Sequence, residues 1–217
     1  EKGLRRLVKN EFFGGLLLVI VVITVSTAVP WVILILAGMI NPWLETVLQV
    51  WFCYQILAMK SLCTESMRVY TPLKAGDLPL ARKYLSWIVG RDTENLDFRQ
   101  ITKAVVETVA ENASDGVVAP MLFMLIGGAP LGFLYKGVNT LDSMVAYRNE
   151  ELINIGHASA KLDDICNFIP ARLAAVMMIL ASAILRFDVK GAVHIFRRDR
   201  FAHLSPNSAQ TEALAAG

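Results

Sequence analysis

Apolar positions in this chain come in unbroken runs, not in the alternating or three-to-four spacing of a water-facing element. No Asp, Glu, Lys or Arg occurs from Phe12 to Leu44, a run of 33 residues. An uncharged run of about 18 or more residues reads as a membrane span. As one helix, Phe12 to Ile40 would reach roughly 43 Å against a hydrocarbon core of about 30 Å. Pro30 is therefore expected to kink the helix or end the span, with Trp31 near an interface. A second apolar segment, Pro42 to Met59, carries Glu45, Gln49 and Gln55. Glu45 lies near its end, where a carboxylate costs less than the about 2.5 to 3.5 kcal/mol of mid-bilayer. Together the two segments predict a helical hairpin that returns the chain to its starting side.

From Lys60 to Asp115 the sequence is amphipathic and helical, and Asp97 followed by Gln100 has the pattern of an N-cap with its capping-box partner. That cap starts a helix running to about Asn112. Residues 117–135 form a third apolar segment, interrupted by Gly127, Gly128 and Pro130. Such a segment either spans or forms a re-entrant hairpin or broken helix lining a protein cavity. The non-crossing arrangement is favoured, because a full crossing would put Asn139 and Asp142 on the side opposite the Glu107 helix. A polar block follows from Lys136 to Arg172, and the apolar run from Leu173 to Leu185 is only 13 residues long. It is short for a span unless Phe168 to Arg172 add a turn. The fold class expected is all-α: a multi-pass integral membrane protein with amphipathic and re-entrant helices. Residues 1–59 would hold a basic N-terminal segment and the transmembrane hairpin. Residues 60–217 would be the motif-bearing region, with apolar segments at 117–135 and 168–187.

Composition agrees with this pattern. Charged residues make up 18% of the 217, against about 25% in soluble domains. That excludes an ordinary soluble globule, a disordered chain and a disulfide scaffold. A net charge of +2 argues against a nucleic-acid binder, which would carry a basic stripe. Lys2, Arg5, Arg6 and Lys9 precede the first apolar run, and eight further basic residues fall between Lys60 and Asp115. The positive-inside rule places both segments in the cytoplasm. Cys53, Cys63 and Cys166 match no paired motif, and His157, His194 and His203 match no zinc-ligand spacing.

Candidate chemistry lies between the apolar runs. Lys103, Glu107, Glu111 and Asp115 recur every four residues, so on a helix they share nearly one face. They are either a solvated face with one Lys–Glu pair or, beside an apolar segment, a site for Mg²⁺ or a Mg²⁺-phosphate group, a hard cation suited to oxygen ligands. Lys136, Asn139 and Asp142 form a second stripe, which would bind a phosphate and its metal or pair internally. Asp163, Asp164 and Asn167 either cap the last apolar helix or add acids to a site. Arg197, Arg198, Asp199 and Arg200 precede Ser205-Pro206-Asn207, and read either as a cytoplasmic anchor or as phosphate contacts. Neither a P-loop nor a dinucleotide glycine motif is present.

The order and wording of these blocks carry a resemblance. Trp87-Ile-Val-Gly90-Arg91-Asp92-Thr93, Glu107-Thr-Val-Ala-Glu111-Asn112 with Asp115-Gly116, Asn139-Thr-Leu-Asp142-Ser-Met, Leu162-Asp163-Asp164 with Asn167 and Pro170-Ala-Arg172, and Arg198-Asp199-Arg200 with Ser205-Pro206-Asn207 follow one another along the chain. The chain thus resembles the adenosylcobinamide-phosphate synthase family of cobalamin biosynthesis. One departure is Ala146, where that family usually has Gly. Family members extend further at both ends, so the chain is expected to be the central part of a longer synthase.

The resemblance implies a cell-membrane (inner-membrane) enzyme that joins a propionate carboxylate of adenosylcobyric acid to aminopropanol, or to its phosphate, as an amide. It also implies ATP and Mg²⁺, with the carboxylate activated as an acyl phosphate before the amine attacks, and an active site facing the cytoplasm. Carried onto this sequence, Glu107, Glu111, Asp115, Asp142 and Asp163 become catalytic candidates, and Glu111, Asp115, Asp142 and Asp164 candidate Mg²⁺ ligands. Lys136, Asn139, Arg172, Arg198, Arg200 and Asn207 become candidate phosphate or substrate contacts. The rival reading is a non-catalytic corrinoid-binding or transport protein of the membrane, against which stands the concentration of polar residues between the apolar runs.

Overall fold

The computed structural model describes residues 11–145, 154–203 and 205–217; Lys2, Arg5, Arg6, Lys9 and Ala146 lie outside them. The described residues form α1 (Glu11–Ile40), α2 (Pro42–Ile56), α3 (Met59–Lys74), α4 (Leu78–Leu85), α5 (Phe98–Ala113), a π-helical turn (Ser114–Val118), α6 (Ala119–Val145), α7 (His157–Ile184), α8 (Val189–Asp199) and α9 (Ser208–Ala215), with no strand among them. Three stretches are long and apolar enough to cross a membrane: Glu11–Ile40, Phe98–Val145 and His157–Ile184. Side chains such as Trp31, Met39, Ile40, Trp43, Leu125 and Ile184 stand exposed, a surface that lipid solvates and water does not. The protein is an all-α membrane protein. Its chain divides into two compact units, Glu1–Leu57 with Ala119–Phe168 and Ala58–Val118 with Ile169–Gly217.

In the first unit, α1 continues through Pro30 to Ile40, so the proline does not end the span. Asn41 then turns the chain: its side chain accepts from the Trp43 N–H at 2.8 Å, with Pro42 at the first helical position, where its missing N–H costs nothing. Helix α6 is not a straight rod. Gly127 and Gly128 leave helical geometry, and Gly128 takes φ +66°, a conformation open to glycine and strained for any side chain. Beyond this break the chain folds back on itself. The rings of Phe123 and Tyr135 are 5.1 Å apart, although 12 intervening steps of straight helix would separate them by about 18 Å. A Cβ at Gly132 would stand 2.6 Å from Met124 Cγ, so the two arms touch through a glycine. The apolar segment at 117–135 is therefore a broken, folded-back hairpin. Leu34, Ile56 and Ala129 pack its turn against α1 and α2, and Val19, Leu141, Val145 and Ile155 form a second core further along.

Helix α7 corrects one expectation. Asp163, Asp164 and Asn167 do not cap the last apolar helix, because that helix begins at His157 and carries them in its interior. Asn167 Nδ2 donates to Asp163 Oδ2 at 2.9 Å, a pair at i and i+4 within the helix. The short run from Leu173 is the second half of a 28-residue helix. It ends at Arg186, φ +61°, where the Phe187 N–H donates to the Ser182 carbonyl at 2.9 Å, closing the last turn.

In the second unit, Val69, Leu73, Ala81, Leu85, Ile101 and Ala104 form the core joining α3, α4 and α5. Ala175, Ala192 and Leu214 seat α8 and α9 against the end of α7. Asp97 caps α5 as expected, with Gln100 closing the capping box. The π-helical turn follows at once, and its i→i+5 spacing shifts the helical register. Asp115, within that turn, therefore does not continue the regular four-residue series of Lys103, Glu107 and Glu111. Gly116 is buried where its carbonyl accepts from the Ala58 N–H at 3.1 Å, and a Cβ there would crowd the Ala58 methyl at 3.2 Å.

Candidate functional site

Helix α9 is the element around which the second unit's functional side chains gather. Asn207 precedes it, buried, and accepts from Arg172 Nη1 of α7 at 3.2 Å. Gln210, also buried, donates from Nε2 to the Arg200 carbonyl at 3.2 Å and to that of Pro206 at 3.1 Å. These bonds hold the turn between α8 and α9. Arg200 lays its guanidinium over the rings of Phe201 and Phe196, 4.6 and 5.4 Å from their centroids. A guanidinium on aromatic faces keeps its charge while its apolar faces are covered. Arg200 and Arg172 are close enough for their like charges to be felt. Arg198 differs: it forks onto the neighbouring Asp199 at 2.7 and 2.8 Å, on the surface.

Helix α5 supplies the acids. Glu107 is held by Arg91 Nη2 at 2.7 Å and by Lys103 Nζ at 3.5 Å. Glu111 accepts from the Ser208 hydroxyl at 3.4 Å. The sequence reading missed the third acid, Glu212 of α9, whose side chain is 12% exposed and lies 3.3 Å from His203 Nε2. Burial, together with the negative charges of Glu111 and Glu107, pushes the Glu212 carboxyl up to about 7, and Arg91 and Lys103 pull it back only partly. Three carboxyl groups thus lie within electrostatic reach of one another. A cavity of about 670 Å³ opens between α5 and the α8–α9 region, and Lys103, Glu107, Asp199, His203 and Glu212 line it with Arg99. The signal that would have found Glu212 is its place one turn after Ser208, on the helix that the Ser-Pro-Asn turn opens.

The first unit holds the remaining candidates. On α6, Tyr135, Val138 and Leu141 are buried, and Lys136, Asn139 and Asp142 follow each of them in turn, half-buried. The expected shared face of the Lys-Asn-Asp stripe is therefore real, at the margin of a packed helix. The Tyr135 hydroxyl donates to Asn167 Oδ1 at 2.8 Å, and Asn167 in turn donates to Asp163, a chain of hydrogen bonds from α6 into α7. Asp164 is half-buried on the same helix.

A Mg²⁺ ion suits this chemistry in one way. Among the described residues no three His, Cys, Asp or Glu side chains converge to hold a metal by themselves. Mg²⁺ commonly takes one or two carboxylates and completes its shell with phosphate oxygens and water. The Glu212 carboxyl is raised first by burial and then by the charges of Glu111 and Glu107, and a cation arriving with phosphates would relieve the charge part.

The chain matches the family model described as CobD/Cbib protein over residues 1–217. It is 50% identical to "Cobalamin biosynthesis protein CobD" of Citrobacter koseri over 94% of its own length and 64% of that protein. Against the protein of the same name from Geobacter metallireducens it is 49% identical over 100% of its length and 68% of that protein. It is also 47% identical to "Cobalamin biosynthesis protein CbiB" of Salmonella arizonae, over 94% of its length and 64% of that protein. The chain thus spans a little under two thirds of the length of several curated relatives. No solved structure matches it significantly.

Proposed function

The chain belongs to the CobD/CbiB family, and from that premise we propose that it acts in cobalamin biosynthesis as an amide-forming ligase. It joins a propionate carboxyl of adenosylcobyric acid to aminopropanol or aminopropanol phosphate at the expense of ATP. The observation that carries this reading is one cavity lined by Glu107 and Glu212 beside Lys103, Arg99 and His203, with Glu111 close enough for its charge to act on Glu212. Amide formation needs this mixture. An amine arrives as an ammonium and must lose a proton to a nearby base, while phosphates and developing negative charge need cationic partners. ATP with Mg²⁺, when bound, supplies the activation that turns a carboxylate into an acceptor for an amine.

The protein's own residues then divide the work. Glu111 would hold the cation of a Mg²⁺-phosphate group or accept the ammonium proton. Glu107, held by Arg91 and Lys103, fixes the positive side chains that face the phosphates. Arg172 and Asn207, bonded to each other, and Arg200 on its aromatic bed hold carboxylate or phosphate groups at the α9 end. Lys136, Asn139, Asp142 and Asp164 form the second polar set, on α6 and α7, for substrate and metal contacts. The enzyme works in the cell membrane with its site on the cytoplasmic side, where ATP is found; the basic residues from Lys60 to Lys103 support that orientation.

The test is direct. Purified protein in detergent receives adenosylcobyric acid, the amine or its phosphate, ATP and Mg²⁺, and the product is read by mass. An amide of the expected mass, lost when ATP is omitted, is the expected result. Corrinoid binding without amide formation would replace the ligase with a non-catalytic carrier.

A further inference from the structure

The block Trp87-Ile-Val-Gly90-Arg91-Asp92-Thr93 has no part in the acid-lined cavity except through Arg91, yet the fold builds it with care. Residues 86–97 connect α4 to α5 and are lashed onto α4 at two points. The buried Thr93 donates from its hydroxyl to the Arg82 carbonyl at 3.1 Å, and Arg82 Nε donates to the Leu96 carbonyl at 2.8 Å. Asp92 Oδ1 accepts from the Glu94 N–H at 2.9 Å, tightening the turn between them. The Ser86 hydroxyl is spent on the Lys83 carbonyl at 2.8 Å. Between α4 and this connection lies a second cavity, of about 470 Å³, into whose lining Arg82, Lys83 and Arg91 bring three positive charges against Asp92 and Glu94.

The donors there are not used up. Arg82 commits only its Nε, and its Nη groups meet no acceptor among the described residues; Lys83 has no acceptor or ion-pair partner among them either. A guanidinium fixed at one nitrogen presents its remaining N–H groups as a fork, the geometry that matches a phosphate's oxygens. We infer that this cavity is a binding site for a phosphate-bearing anion, with Arg82 and Lys83 as its contacts and Arg91 as the contact it shares with Glu107. Because Arg91 reaches Glu107 Oε2 at 2.7 Å, an anion in this cavity competes for the guanidinium that neutralises an acid of the neighbouring one. The shared chemistry is phosphate, carried either by a nucleoside triphosphate or by a phosphomonoester.

The experiment measures binding by titration calorimetry on the full chain in zwitterionic nanodiscs, with ATP, aminopropanol phosphate and inorganic phosphate as separate probes. Lys83→Glu is expected to weaken at least one probe by about tenfold or more, the cost of a lost charge-assisted contact. Arg82→Lys keeps the charge and removes the fork, and weakens the same probe. Lys74→Glu, elsewhere on the unit's surface, changes nothing. Loss confined to ATP assigns the site to a nucleotide, and loss confined to aminopropanol phosphate assigns it to a phosphomonoester. Wild-type binding of all three probes retained in both variants, at unchanged melting temperature, overturns the inference, as does failure of the wild-type chain to bind any probe. This site does not depend on the ligase reading: an absent amide product would leave the binding result standing, and normal turnover in a Lys83→Glu variant with unaltered binding would remove this site alone.

Discussion

Two polar clusters in this molecule are made from similar side chains and behave oppositely. In the first unit, Tyr135, Asn167 and Asp163 form a linear chain, each donor meeting an acceptor at 2.8 or 2.9 Å. In the second unit, burial first and then the charges of Glu111 and Glu107 push the Glu212 carboxyl up to about 7. Arg91 and Lys103 offset this only partly. Hydrogen-bonded polar groups inside a fold are a means of fixing packing. Like charges brought together are a cost that a ligand can relieve, which is why perturbed acids mark working sites. The first cluster ties α6 to α7; the second gathers acids whose charges are only partly compensated.

The sharpest way to break this comparison is Glu111→Gln, which keeps shape and removes charge. Amide formation in membranes should fall by about 100-fold or more, within the range for a lost acid–base or electrostatic group. Turnover within a few-fold of wild type would move Glu111 to the structural class. Tyr135→Phe should do the reverse. It deletes one buried hydrogen bond and leaves Asn167 short of a donor, costing about 1 to 3 kcal/mol. A lower melting temperature with turnover reduced far less than in Glu111→Gln is the expected outcome.

The smallest effect concerns pH. Because the folded Glu212 carboxyl titrates near 7 and its ordinary value is 4.5, the folded state binds the proton more tightly than the unfolded one. Its contribution to stability is full below about 4.5 and is lost as pH rises through about 7. Glu111 and Glu107 face it with negative charge and Arg91 and Lys103 with positive, and His203 Nε2 lies 3.3 Å away. Melting temperatures measured without Mg²⁺ should therefore decline across that window, and Glu212→Gln should flatten the decline. An equal slope in the variant would show that another group carries it.

Much of this was legible along the chain. The uncharged run after Glu11, the Asp97 capping box and the Gly127-Gly128 break each act over a few residues or through composition, and each appears in the fold. Glu111 and Glu107 were legible because a four-residue spacing on a helix needs no tertiary knowledge. One local reading failed for a local reason: the Asp163-to-Asn167 block proved to be helix interior and not a cap, since an i, i+4 side-chain bond serves a helix as well as a cap does. Pro30, expected to kink the helix or end the span, lies inside a continuous α1. Asp115 fell out of the four-residue series because a π-helical turn, which spacing does not announce, changes the register there.

What the sequence by itself determined is therefore the solvent of each segment and the family's ordered motifs: hydrophobic runs select lipid whatever they pack against, and caps and glycine breaks act on their own neighbours. Tertiary structure alone decided which acids meet. Glu212 stands far along the chain from Glu107 and carries no periodic signal linking them; only the seating of α9 on α5 brings their charges within reach. The same holds for Thr93 and Leu96, which become the brace of a basic cavity only when the connection after α4 folds back on Arg82. Electrostatic energy depends on distance in space, and distance in space is what a linear pattern does not contain.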